Sequence, residues 1–97
     1  QVRNSKGRWI EATPVPGTFV CNTGQLLERW TNGAFIANTH RVINDSGRAR
    51  YSAPFFFTPD RDAEIEVLSV CCGPDNPPRY PPINSGDHYA ERMRYMY

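Results

Sequence analysis

Three side chains near the middle of the chain have the types and spacing for chemistry: His40 in "NTHRV", and Arg50 and Ser52 in "RARYS". An imidazole is the commonest side-chain ligand for a transition metal. An arginine and a hydroxyl two residues apart on a strand share one face, so a bidentate fork and a third donor converge there as a carboxylate clamp. Each feature has a plainer reading beside it. A lone histidine is more often a surface or satisfied residue than a ligand. An Arg-x-Ser serves equally well in a cross-strand ion pair. Arg48 has the same parity as Arg50, and either extends that face or sits in solvent at the turn.

The joint arrangement changes the weighing. "NDSG", residues 44 to 47, is a hairpin turn signal between the two features. If it reverses the chain, His40 and Arg50 lie on adjacent antiparallel strands within reach of one small ligand. A 2-oxoacid chelated to a metal at one end, with its distal carboxylate in the clamp, would bridge them. His88, beside Asp87, reads as a helix-surface residue.

The elements that must position these groups are short. Gln1 to Asn4 and Arg8 to Ala12 flank "NSKG", a second hairpin signal, in which Gly7 suits positive φ. Pro14, Pro16 and Gly17 interrupt pairing before a strand over Thr18 to Asn22, and Trp9, Ile10, Phe19 and Val20 can supply part of a sheet face. "QLLERWTNG" reads as one or two helical turns closed by Asn32-Gly33. Strand-like runs at Ala34 to Ala37 and Arg41 to Asn44 bracket His40. The run from Arg48 to Phe57 has the strongest strand character, with Pro54 marking a bulge or an edge. Glu64 to Val70 alternates as one more strand.

Five of the nine prolines fall between Pro74 and Pro82, so that segment is expected to cross a surface as an extended, fixed tail. "SGDHYAERMRYMY" closes the chain as a helix, with Ser85 as N-cap and Tyr89, Met93 and Met96 as an apolar stripe. The class is mainly β: part of a jelly roll with a short helix after the third strand and a C-terminal helix.

Bulk properties narrow the options. With 97 residues the chain is at most one small domain with a thin core. Apolar residues make up 39 % and aromatics 12 %, which argues against disorder. The net charge is +1 with both signs interspersed, so neither a nucleic acid nor an anionic membrane is favoured as partner. No apolar run approaches the ~18 residues of a spanning helix. Cys21, Cys71 and Cys72 are an odd count without a C-x-x-C, and read as reduced, buried thiols of a cytoplasmic protein. The opening "QVRNSKGRWIEA" is already strand-like, so the chain is expected to be a piece of a larger domain.

The stretch "PGTFVCNTGQLLERWTNGAFIANTHRVINDSGRARYSAPFFF" resembles the C-terminal half of the catalytic domain of the isopenicillin N synthase-like family of iron(II)/2-oxoglutarate-dependent oxygenases. The similarity runs from about Gln1 to the terminal helix. It is densest over Pro16 to Phe57, where "G-x-L-x-x-W-T-N-G", "H-R-V" and "R-Y-S-x-P-F-F" occur in order. The resemblance implies a partial double-stranded β-helix of the jelly-roll or cupin type, with Fe(II) as metal and 2-oxoglutarate as cosubstrate. Residues 1–97 would be the C-terminal portion of that domain. His40 matches the distal histidine of the 2-His-1-carboxylate triad, and Arg50 with Ser52 the pair that binds the distal carboxylate of 2-oxoglutarate. Phe56 falls where the family presents an aromatic ring to the substrate, and Val42 lines the same cavity. Trp30 reads as packing. Gln25 stands where the family commonly has an acidic residue, a change expected to alter local hydrogen bonding and not iron binding.

The resemblance also exposes what these residues lack. No His-x-Asp or His-x-Glu occurs in the chain, nor the Asn-x-Tyr that helps hold the oxoacid. One histidine does not hold iron(II) against water. The expectation is therefore a fragment, inactive by itself, of an oxygenase that hydroxylates or desaturates a small organic substrate with O2. Two alternatives stand beside it: a family oxidase that does not use 2-oxoglutarate, and a non-catalytic truncated module that self-associates through unpaired sheet edges.

Overall fold

The computed structural model describes residues 1–95. Met96, expected on the apolar stripe of the terminal helix, lies outside them. The chain forms two compact units, each made of two stretches of sequence: Gln1–Asn22 with Asn38–Phe56, and Thr23–Ala37 with Phe57–Tyr97.

The first unit is built on a hairpin. Strands β1 (Val2–Arg3) and β2 (Trp9–Ile10) pair antiparallel, with Val2 opposite Ile10 and Arg3 opposite Trp9. The turn forms for the reason its residues suggest. Asn4 Oδ1 accepts from Lys6 N at 3.0 Å and Arg8 N at 2.9 Å, and Gly7 takes φ +75°, which a side chain would resist. The other edge of β1 receives the segment carrying His40: Arg3 N donates to Thr39 O and Arg41 N to Gln1 O, both at 2.9 Å, with Val2 opposite His40. The guanidinium of Arg41 lies over the Trp9 ring, 4.1 Å from its centroid.

"NDSG" forms the expected turn. Asn44 Nδ2 donates to Arg48 O at 2.8 Å, Ser46 Oγ donates to Asn44 Oδ1 at 2.7 Å, and Gly47 takes φ +68°. The strand expected over Arg48 to Phe57 does not form. Among the described residues, no backbone hydrogen bond joins this run to another segment, and every residue from Arg48 to Phe57 is exposed. Propensity gives a run a preference for extended backbone; a strand also needs a neighbour for its amides, and Pro54 removes one donor. The runs Thr18 to Asn22 and Ala34 to Ala37 likewise form no strand. Ile10, Phe19 and Val20 of the expected sheet face are left 53 %, 94 % and 62 % exposed, so that face has no cover here.

The second unit holds both helices and the one buried hydrophobic side chain among the described residues, Ile65. Helix α1 (Gln25–Trp30) ends where expected: Asn32 and Gly33 take φ +53° and +84°, and Gly33 N donates to Glu28 O at 2.8 Å. Strand β3 (Glu64–Ile65) pairs antiparallel with β4 (Ile83–Asn84). The strand expected to reach Val70 stops at Ile65 and gives way to a 3₁₀ turn at Ser69–Cys71, because Leu68 N turns to Trp30 O at 2.9 Å instead of to a partner strand.

Helix α2 (Ser85–Met93) is capped by Asn84, not Ser85; Asn84 Oδ1 accepts from Gly86 N at 2.9 Å and Asp87 N at 3.3 Å. His88, expected on the surface, is buried to 6 % exposure, while Tyr89 of the expected stripe is half exposed. The true inward face of α2 begins at Ser85, and His88 is its i+3 neighbour. The proline-rich segment is pinned, as expected. Arg79 N donates to Asn32 Oδ1 at 2.8 Å, Asn32 Nδ2 to Pro77 O at 3.1 Å, and Arg29 Nη2 to Pro81 O at 2.7 Å. All three cysteines are free, but Cys21 is exposed and Cys71 and Cys72 are half-buried, which corrects the expectation of buried thiols.

Candidate functional site

His40, Val42, Arg50, Ser52 and Phe56 all belong to the first unit. The backbone places His40 with some rigidity. Hydrogen bonds at Thr39 and Arg41 hold its flanks against β1, and the antiparallel register puts His40 on one face with Val2 and Ile10. Arg41 and Trp9 occupy the opposite face, so their stacking stiffens the strand without covering the imidazole. The His40 ring is exposed, with Nδ1 2.9 Å from Asn38 O and 3.5 Å from the amide of Asn22.

The structure secures Arg50 and Ser52, the candidate clamp, less firmly. Arg50 and Ser52 lie beyond the Asn44–Arg48 turn in the run without strand pairing, both exposed, and their side chains have no hydrogen-bond partner among the described residues. A guanidinium without a carboxylate partner is available for an incoming anion; the surface ion pair considered for Arg-x-Ser does not form here. The turn brings His40 and Arg50 into one unit, but no ladder holds them in register. Val42 and Phe56 are 61 % and 67 % exposed, and neither is enclosed in a cavity.

The donor set fits one corner of an iron site. His40 has the right chemistry for one ligand, and among the described residues no group of three or more His, Cys, Asp or Glu can hold a metal ion. The second imidazole and the carboxylate of a facial triad are not supplied by these residues.

Some residues were silent in the sequence reading. Asn22 beside His40 was hidden because "FVCN" reads as a strand end. Asn32 is almost fully buried and its amide joins three backbone groups, those of Cys71, Pro77 and Arg79. The turn signal "TNG" predicts its positive φ but not the loops it ties. His88 is pushed to lower pKa, first by burial and then by Arg92 and Arg29, with Glu91 opposing. Its Nδ1 and the Nε of Arg29 have no hydrogen-bond partner among the described residues. Tyr80 donates to Glu28 Oε1 at 2.9 Å, and that bond is the main cause of its raised pKa. The bonds of Asn32 and Tyr80 tie the second unit together, whereas the unpartnered His88 Nδ1 and Arg29 Nε are a cost to it.

Comparison with known proteins agrees with the resemblance. The family profile of the 2OG-Fe(II) oxygenase superfamily matches residues 1–59, a span that contains every candidate site residue. The chain belongs to that superfamily. It is 39 % identical to homoarginine-6-hydroxylase 2-ODD-233 of Oryza sativa subsp. japonica over 94 residues, 96 % of this chain and 29 % of that protein. It is 46 % identical to a 2-oxoglutarate-Fe(II) type oxidoreductase of Emericella nidulans over 91 residues, 94 % of this chain and 26 % of that protein. The chain thus spans under a third of the length of these curated relatives. Among solved structures, a 2OG-Fe(II) oxygenase family protein from Caulobacter crescentus superposes with TM-score 0.86 at 38 % identity, covering 99 % of this chain and 33 % of that one. The rice dioxygenase for auxin oxidation shares the fold, with TM-score 0.74 at 24 % identity. The described residues contain no helix long and apolar enough to cross a membrane.

Proposed function

We propose that this chain is the C-terminal portion of the catalytic domain of an iron(II)- and 2-oxoglutarate-dependent dioxygenase, acting on a small organic substrate with O2. The observation that carries the reading is the ordered set His40, Arg50 and Ser52, in one unit and inside the segment matched by the family profile. His40 supplies one imidazole ligand. Arg50 and Ser52 hold the distal carboxylate of 2-oxoglutarate, the guanidinium giving two parallel N–H donors and the hydroxyl a third. Val42 and Phe56 present apolar surface toward the substrate. When bound, iron supplies the Lewis acid that chelates the oxoacid and activates O2. The remaining ligands come from the part of the domain that lies outside these residues, and the 97-residue chain alone does not turn over.

The relatives whose names specify 2-oxoglutarate favour that cosubstrate over the oxidase chemistry of isopenicillin N synthase. Three free thiols fit a reducing compartment such as the cytoplasm. The test is a 2-oxoglutarate titration of the full-length protein, monitored by succinate release, for wild type and Arg50→Ala. Loss of a charge-assisted bidentate contact costs about 2–4 kcal/mol, a thirtyfold or greater rise in the half-saturating concentration. An unchanged requirement would remove Arg50 from the clamp.

A further inference from the structure

We propose that Cys71 and Cys72 form a vicinal dithiol that takes up one trivalent organoarsenical, R–As=O, as a two-sulfur chelate. Both thiols are free and half-buried. The two cysteines line one shallow cleft of about 500 Å³, to which Ala34, Val70 and Pro74 add apolar surface. Neither thiol is committed elsewhere. Among the described residues, their one hydrogen bond is the weak contact of Cys72 Sγ with Ser69 O at 3.9 Å.

The backbone decides what these adjacent thiols can do. The peptide between them is held on both sides. Its carbonyl, Cys71 O, accepts from Asn32 Nδ2 at 3.3 Å and Asn76 Nδ2 at 3.1 Å, and its N–H, on Cys72, donates to Ser69 O at 3.5 Å. Cys71 N donates to Leu68 O at 2.8 Å and closes the 3₁₀ turn. Neighbouring Cα atoms across a trans peptide stand about 3.8 Å apart, short of the roughly 4.4 to 6.8 Å of ordinary disulfides. A direct S–S bond would therefore pull this peptide away from its partners. A third atom between the sulfurs widens the ring and removes that demand. Zinc is the wrong third atom, because a structural zinc needs four ligands. Among the described residues, no group of three or more His, Cys, Asp or Glu includes this pair. Arsenic(III) that already carries one carbon substituent needs only two sulfurs. The step balances without a redox change: two S–As bonds replace As=O, and the oxygen leaves as water with both thiol protons. Once the first S–As bond forms, the neighbouring thiol attacks within the same molecule at high effective concentration. Cys21, exposed and far along the sequence, offers a single sulfur.

The test treats the reduced full-length protein with phenylarsine oxide and then with an excess of a monothiol, and maps the adduct by peptide mass spectrometry. Wild type is expected to keep one phenylarsenic group on the peptide carrying Cys71 and Cys72 through the monothiol wash, and to release it to dithiothreitol. Cys71→Ser and Cys72→Ser should each weaken retention about a hundredfold, the gain that a tethered second ligand provides. Cys21→Ser should leave that retention unchanged. The bonds of this turn run through the Cys71 backbone, so the serine variants keep them; if neither folds, release from wild type by monothiol against dithiol decides the point. An adduct that washes off with monothiol, or that is retained only on other peptides, would overturn the proposal. So would retention that ignores both serine variants. Iron and 2-oxoglutarate play no part in this readout, so its outcome is independent of the Arg50 titration.

Discussion

The two units solve opposite problems. The second spends most of its polar groups on itself: Asn32 ties two loops to the end of α1, Asn84 caps α2, Glu28 accepts from both Tyr80 and the Ala37 amide, and Ile65 is sealed, while buried His88 Nδ1 and Arg29 Nε stay without a partner among the described residues. The first leaves its strongest groups unspent. Arg50 and Ser52 have no partner among the described residues, His40 is exposed, and a row of aromatics faces outward. Charge divides in the same way. The first unit carries Arg3, Lys6, Arg8, Arg41, Arg48 and Arg50 against Glu11 and Asp45, a formal +4, which leaves −3 for the second. The unit that holds the proposed clamp for a dianion is the basic one. The difference separates a scaffold from a surface equipped to bind.

If that division holds, substitutions in the two units should fail differently. Arg50→Ala has the largest expected effect, on 2-oxoglutarate affinity, as set out above, and should leave the unfolding midpoint of the full-length protein in place. Asn32→Gly keeps the positive φ but strands the Arg79 amide and the Pro77 carbonyl, the Cys71 carbonyl keeping its bond from Asn76 Nδ2; it should cost about 2 kcal/mol in denaturant unfolding while the 2-oxoglutarate requirement of the surviving folded protein stays unchanged. Asn84→Ala, which removes the α2 cap, should cost about 1 kcal/mol by the same measurement.

The pH response is smaller and has a definite sign. The folded pKa of His88 lies below its unfolded value of 6.5, so the unfolded chain takes up the proton first. The stability held by neutral His88 is fully present above 6.5 and is lost as pH falls from 6.5 through the folded pKa. Unfolding midpoints measured across that window should decline for wild type and flatten for His88→Gln. A final contrast concerns the isolated 97-residue chain, whose uncovered first unit should make it self-associate in sedimentation. A sharp monomeric unfolding transition would contradict that expectation.

Much of this was legible in the residues. Gly7, Gly33 and Gly47 occupy the positive-φ positions that their turns require, and "QLLERWTNG" gives its helix and its stop. Local chemistry decides such features. The strand expected over Arg48 to Phe57 does not form because pairing is a property of two segments, and alternation within one cannot supply the other. Asn84 and Ser85 are both capping types one residue apart, so sequence alone does not choose between them; β4 carries Asn84 to the helix mouth and makes it the cap. The overall charge of +1 concealed the division between units, since the two sequence stretches of each are brought together only by folding. The candidate set His40, Arg50 and Ser52 stands on ordered motifs in the sequence, whereas the contact of Asn22 with His40 arises only on folding.

The most direct measurement compares Fe(II)-dependent succinate release by the full-length protein with that of His40→Ala, alongside the unfolding midpoint of each. The account predicts that release is abolished while the midpoint stays within the small range of a surface substitution. Release that persists in His40→Ala would contradict it, and would remove His40 from the iron site.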